Sequence, residues 1–244
     1  MPWQVIASSV AGSSHSRHGA PCQDAFCFKV LDNNVIAIAV SDGAGSAEYG
    51  GEGAKIAVSS AVNFLADHTS SQSATFDVLL SDALYNARCA VVAAAQQAGV
   101  QSRTYACTCM IVLASPDEAA VTQVGDGAVI VEDGEGLTAL TVPPSAEYAN
   151  ETTFLTSDDW RSATQLAKVT MKVLHIAAFT DGLQRLALHL PAGTPYPGFF
   201  RPLLNFSKSR PVDGNSEIEA FLQSRKVSER TDDDVTLVIA SMLH

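Results

Sequence analysis

The chain has 244 residues, 47% of them apolar and 17% charged, with a formal net charge of -11 at pH 7. That length holds one large domain or two small ones, and the apolar share excludes a disordered chain in favour of a sizeable buried core. The acidity argues against a nucleic acid or an anionic membrane surface as partner; it is either an ordinary solvated surface or a set of carboxylates collected at a metal site.

The segment Met1–Ser9 lacks the basic start and apolar run of a signal peptide, so a cytoplasmic protein is expected. Val5–Val10 and Ala25–Val30 alternate as short strands, and Val35–Val40 reads as a buried strand too short to span a bilayer. Glu52–Asp67 sets Ala54, Ala57, Val58, Ala61, Val62 and Leu65 at helical spacing, and a second helix is expected over Phe76–Gln97. Thr108–Ala114 and Ala119–Val124 read as a hairpin around Pro116-Asp117, continued by Ala128–Glu132 and Leu137–Val142. Val169–Phe179 supplies one strand or two, Leu183–Leu190 a short helix, Glu217–Gln223 another, and Val235–Ser241 the last strand.

Between Pro191 and Ser216 five prolines and an aromatic group predict a surface excursion within a single domain spanning 1–244. It reads as a packed loop, with a lid or docking role as the alternative. The cysteines, Cys22, Cys27, Cys89, Cys107 and Cys109, are odd in number and include no Cys-x-x-Cys pair. Buried reduced thiols are expected, with Cys107 and Cys109 on one face of a strand.

The informative pattern is a recurring acid: Gln23-Asp24, Ser41-Asp42-Gly43, Gly125-Asp126-Gly127, Thr180-Asp181-Gly182 and Asp232-Asp233-Asp234. Each lies beside a strand candidate, and glycine lets the backbone turn sharply there. An isolated Asp before Gly is ordinarily a turn residue. Several converging carboxylates, however, repel one another unless protons or cations compensate them, and all-oxygen donor sets suit Mg²⁺ or Mn²⁺. If the Asp triplet is extended, Asp233 points away from Asp232 and Asp234, giving one inward ligand and two supporting or exposed acids.

In this order and almost end to end, these segments resemble the motifs of the metal-dependent protein phosphatases of type 2C. Gly50-Gly51-Glu52-Gly53-Ala54, Tyr148-Ala149-Asn150 and Gln184-Arg185-Leu186 are similar to a bacterial subgroup of that family. The resemblance implies an α+β fold, a four-layer α-β-β-α sandwich with two mainly antiparallel sheets flanked by helices. It also implies Mn²⁺ or Mg²⁺, two per chain with a weaker third. Asp42 would bridge two ions and the Gly43 carbonyl would ligate one, glycine leaving the ion room to approach. Asp181 and Asp233 would complete the first shell, Asp24 would hold waters of the second ion, and Asp126 would share the third with Asp181.

The implied reaction is hydrolysis of phosphoserine or phosphothreonine in a phosphorylated protein by a water bridging two metals, in a chain expected to be a monomer. No Cys-x5-Arg loop exists for a cysteine-based route. Three positions depart from the family pattern. Gly19 stands where an arginine often grips substrate phosphate, leaving Arg17, His15 and His18 as candidates, each of which also reads as an ordinary surface residue. Ala44 replaces a histidine proposed as general acid in some relatives, and Gly127 replaces a serine. These changes keep open an alternative, a catalytically weak phosphatase-like module that binds a phosphoprotein or regulator.

Overall fold

Alternation along the central strands builds packed layers on both of their faces. The computed structural model describes residues 3–17, 19–69, 74–143, 152–209 and 212–243. Its main strands are β1 (Trp3–Val10), β2 (Ala25–Val30), β3 (Ile36–Ser41), β4 (Cys109–Ser115) and β5 (Glu118–Val124). They continue with β6 (Ala128–Glu132), β7 (Leu137–Thr141), β8 (Gln165–Thr170), β9 (His175–Phe179) and β10 (Val235–Met242). Two five-stranded sheets result, ordered β1-β10-β9-β6-β7 and β2-β3-β4-β5-β8, with every neighbouring pair antiparallel.

Ile36, Ile38 and Val40 of β3 join Val112, Val129, Ile176 and Val238 in the layer between the sheets. Ala37 and Ala39 point the other way, with Ile111 and Leu113, against helices α1 (Gly50–His68) and α2 (Phe76–Gln97). Because β3 is buried on both faces, its sequence is an unbroken apolar run. Ile130, Phe179, Leu237 and Ile239 form the outer face of the first sheet, covered by α3 (Pro197–Lys208) and α4 (Gly214–Leu222). The layers are therefore helix, sheet, sheet, helix, as the resemblance implied.

Two expectations change. The strands β6 and β7 do not extend the β4–β5 hairpin; the chain crosses at Gly125–Gly127 to the opposite sheet, and β5 pairs instead with β8. Periodicity marks a strand without saying which sheet receives it. The 191–216 segment holds α3, a core helix, where a surface excursion was expected. Pro197 occupies its first turn, where no N–H partner is lost, and Phe199, Phe200, Leu203 and Leu204 fall on its buried side, while Pro202 lies on the exposed one. The 22-residue α2 is long and apolar enough to cross a membrane by length and composition alone. Here its Leu80, Ala83, Leu84, Ala87 and Val91 pack into the core over the second sheet.

Candidate metal centre

Strand register brings the acids to one place. Ala25 lies opposite Ser41, so Asp24 and Asp42 sit at the same end of the second sheet. Phe179 lies opposite both Ala128 and Leu237, which gathers Asp181, Asp126 and Asp233 at one end of the first. Carboxylate oxygens of Asp42, Asp126 and Asp181 all fall within 4.8 Å of one another. They open into a small cavity lined also by Thr108, Gln123 and Thr180.

The surrounding hydrogen bonds fix the backbone and leave ligand atoms free. Asp42 donates its N–H to Thr108 Oγ1 at 2.8 Å, and its carbonyl accepts from the Thr108 N–H at 2.8 Å. Gln123 donates to the carbonyls of Gly125 and Gly127, holding the Asp126 loop from below. Gly125 has φ +113°, and a Cβ there would lie 2.5 Å from the Thr108 side chain. The Asp126 carboxylate accepts from the Thr152 hydroxyl at 2.9 Å. Asp24 is buried, and its Oδ2 accepts from the hydroxyls of Thr180 and Thr236, both at 2.8 Å. Its Oδ1, like Oδ1 of Asp181, is buried without a hydrogen-bond partner.

Such orphaned oxygens are costly, and the electrostatics repeat the point. Burial first, and then the neighbouring acids, push the Asp42 carboxyl up to about 10. Burial likewise raises Asp24 and Asp181 to about 7, with Asp126 the strongest repelling neighbour of Asp181. Among the described residues, no lysine or arginine lines the cavity that these acids share. Buried carboxylates with uncompensated charge and free oxygens fit hard divalent cations, so the residues present suit the metal that the motifs imply.

The other candidates are placed differently. Asp233 is exposed at the rim; partial burial raises its carboxyl, and its Oδ1 accepts from the Asp234 N–H at 2.9 Å. The triplet bends instead of running extended, and its buried member is Asp234, which accepts from Gly12 N–H at 2.7 Å and Gln23 N–H at 2.6 Å. His15 Nδ1 lies 2.9 Å from the same carboxylate, which makes His15 part of this clamp. Arg17 is exposed beside an adjoining cleft, and His18 lies outside the described residues.

Gly43 has a packing reason of its own beside the ion access that the resemblance implies. A Cβ at this position would lie 2.3 Å from the Gly50 carbonyl carbon and 2.5 Å from Gly51 N, so glycine is required by the start of α1 packing against the loop. Of the supporting residues, Thr108, Gln123, Thr152 and Thr236 were not singled out from sequence. Asp234 and Thr180 lie within the acid motifs, and Thr236 just beyond one, so these three carried a local signal.

Comparison with known proteins agrees with this geometry. The family model described as "Protein phosphatase 2C" matches residues 11–223. The chain is 36% identical over 249 residues to serine/threonine-protein phosphatase 3 of Escherichia coli (strain K12), an alignment covering 98% of each. Among solved structures, a bacterial serine phosphatase superposes with a TM-score of 0.66 at 14% identity, covering 98% of this chain and 97% of that one. The Mycobacterium tuberculosis serine/threonine phosphatase PstP/Ppp gives 0.67 at 15% identity, covering 99% of each. At those identities the two structures speak for the fold alone.

Proposed function

This chain belongs to the protein phosphatase 2C family, and on that premise we propose that it is a metal-dependent hydrolase of phosphoserine and phosphothreonine in proteins. The observation that carries the reading is the convergence of Asp42, Asp126 and Asp181 within 4.8 Å, half-buried and, among the described residues, without a compensating side-chain cation lining their cavity. Asp42 with the Gly43 carbonyl, Asp181, Asp233 and Asp24 would hold two Mg²⁺ or Mn²⁺ ions, and Asp126 with Asp181 a weaker third. Bound there, divalent cations supply charge neutralisation for the phosphoryl oxygens and make water a competent nucleophile near neutral pH.

The protein's own part is to hold the acids in place before the reaction. Thr180 and Thr236 orient Asp24, Thr152 orients Asp126, and the two hydrogen bonds between Thr108 and the Asp42 backbone fix the point where β3 ends. The nearby thiol is not a nucleophile. Burial, Asp24 and Asp234 hold Cys22 far above the ordinary thiol range, so it stays protonated. Phosphate release from a phosphothreonine peptide, measured on metal-stripped protein with and without Mn²⁺, tests the proposal. Release should require Mn²⁺ and fall by at least about a hundredfold in Asp42→Ala, the scale of losing a principal electrostatic stabiliser. Equal release in EDTA would refute it.

A further inference from the structure

Next to the acid cluster lies a second, larger cleft of about 580 Å³, walled on one side by Asp181 and Asp233 and on the others by Ser13, Arg17, Arg185 and Arg230. Three guanidinium groups around one opening are unusual on a chain with 26 acidic and 15 basic side chains. The other described cations near carboxylates or rings are engaged elsewhere: Lys168 with Glu118, Arg225 with Glu229, and Arg88 and Arg161 over Trp160. Arg185 and Arg230 are exposed and form no ion pair among the described residues, and Arg17 makes only a 3.3 Å contact with Ser13 Oγ.

The acids that share the cleft do not cancel these charges. Asp181 and Asp233 belong to the metal centre, and Glu229 is drawn toward Arg225 at 3.5 Å. Asp232 remains, one carboxylate against three guanidinium groups. Each arginine comes from a different part of the chain: Arg17 follows a short helical turn, Arg185 lies four residues beyond Asp181, and Arg230 three residues before Asp233. The cleft is thus continuous with the reacting centre and larger than a single phosphate fills. Arginine favours carboxylate and phosphate through paired N–H donors.

We propose that this cleft binds the residues flanking the phosphorylated one, and that Arg17, Arg185 and Arg230 select substrates carrying a carboxylate or second phosphate beside the scissile phosphate. The proposal rests on the phosphatase reading given above. The arginines act on the flanking anion and leave the chemistry at the acids unchanged. They differ in place from the position taken by Gly19, where an added Cβ would meet no described atom within 4 Å apart from its chain neighbours.

The test uses two phosphothreonine peptides that differ only in acidic or neutral flanking residues, p-nitrophenyl phosphate as a substrate without flanks, and Mn²⁺-loaded wild type, Arg185→Ala and Arg230→Ala. All three arginines are exposed, so the variants should fold. Wild type should prefer the acidic peptide. Each variant should raise its KM about tenfold, the weight of one charge-assisted contact, with kcat and the p-nitrophenyl phosphate rate within about twofold. Affinity for a non-hydrolysable phosphonate version of the acidic peptide should weaken by the same factor and fall with added salt. Unchanged KM and affinity in both variants would overturn the proposal, as would a loss of kcat on all three substrates alike. Arginine-dependent phosphonate binding by a protein that releases no phosphate would uphold the cleft and sink the phosphatase reading instead.

Discussion

Replacing Asp42 by Asn should stabilise the metal-free protein while removing its response to metal. The Asp42 carboxyl is raised from 3.8 to about 10, so at pH 7 the fold holds it protonated although the unfolded chain would ionise it. Roughly three decades of proton activity separate those states, and at ~1.4 kcal/mol per decade the fold gives up at most about 4 kcal/mol. Asn keeps the shape and carries no charge. The hydrogen bonds at this position run through its backbone to Thr108 and survive the change. Relief shared with Asp24 and Asp181, together with solvent entry, reduces the expected gain to about 2 kcal/mol. For a chain of this size that is a rise of about 4–8 °C in Tm. Thermal unfolding of EDTA-treated wild type and Asp42→Asn at pH 7, each repeated with millimolar Mn²⁺, provides the comparison. Wild type should gain markedly from Mn²⁺ and the variant little. A lower Tm for the metal-free variant, or equal gains from Mn²⁺, would refute the reasoning.

Because the folded-state values of Asp24, Asp42 and Asp181 are all raised, the fold binds protons more tightly than the unfolded chain does, and its stability must fall as pH climbs from about 3.8 through about 7 and toward about 10. Metal-free protein should therefore melt higher at pH 5 than at pH 8 in chemical denaturation, and saturating Mn²⁺ should reverse that order. Asp234→Ala strips the acceptor from the buried Gly12 N–H, from the half-buried Gln23 N–H and from His15. About 3 kcal/mol should be lost in urea unfolding, and a loss under about 0.5 kcal/mol, the range of ordinary surface changes, would deny the clamp its role. Gly43→Ala forces a methyl into the Gly50–Gly51 backbone at 2.3–2.5 Å. The turn after Asp42 must then shift, and kcat should drop by about a hundredfold, with Mn²⁺ affinity by isothermal titration weakened in parallel.

Most of the layers were legible in the sequence because they depend on local periodicity. The α2 boundaries, Phe76–Gln97, follow from an apolar stripe at helical spacing, and β6, Ala128–Glu132, from a β-branched run between Gly127 and Asp133-Gly134. Local pattern failed at α3, where five prolines between 191 and 216 outweighed the helical spacing of Phe199, Phe200, Leu203 and Leu204. One of those prolines sits at a helix start and another on an exposed face, positions that composition does not distinguish.

The linear chain by itself determined which acids could matter, since aspartates at strand ends beside glycine are a feature of a few consecutive residues. Their meeting is a matter of tertiary structure: strand register across two sheets carries Asp42, Asp126 and Asp181 together from positions up to 139 residues apart. The same holds for the support behind them. Asp234 read as one of two supporting or exposed acids in the triplet, and only the bend at 232–233 and the approach of Gly12 and Gln23 turned it inward. Long-range hydrogen bonds of this kind depend on where distant backbone N–H groups fall in the folded chain, so no local pattern records them.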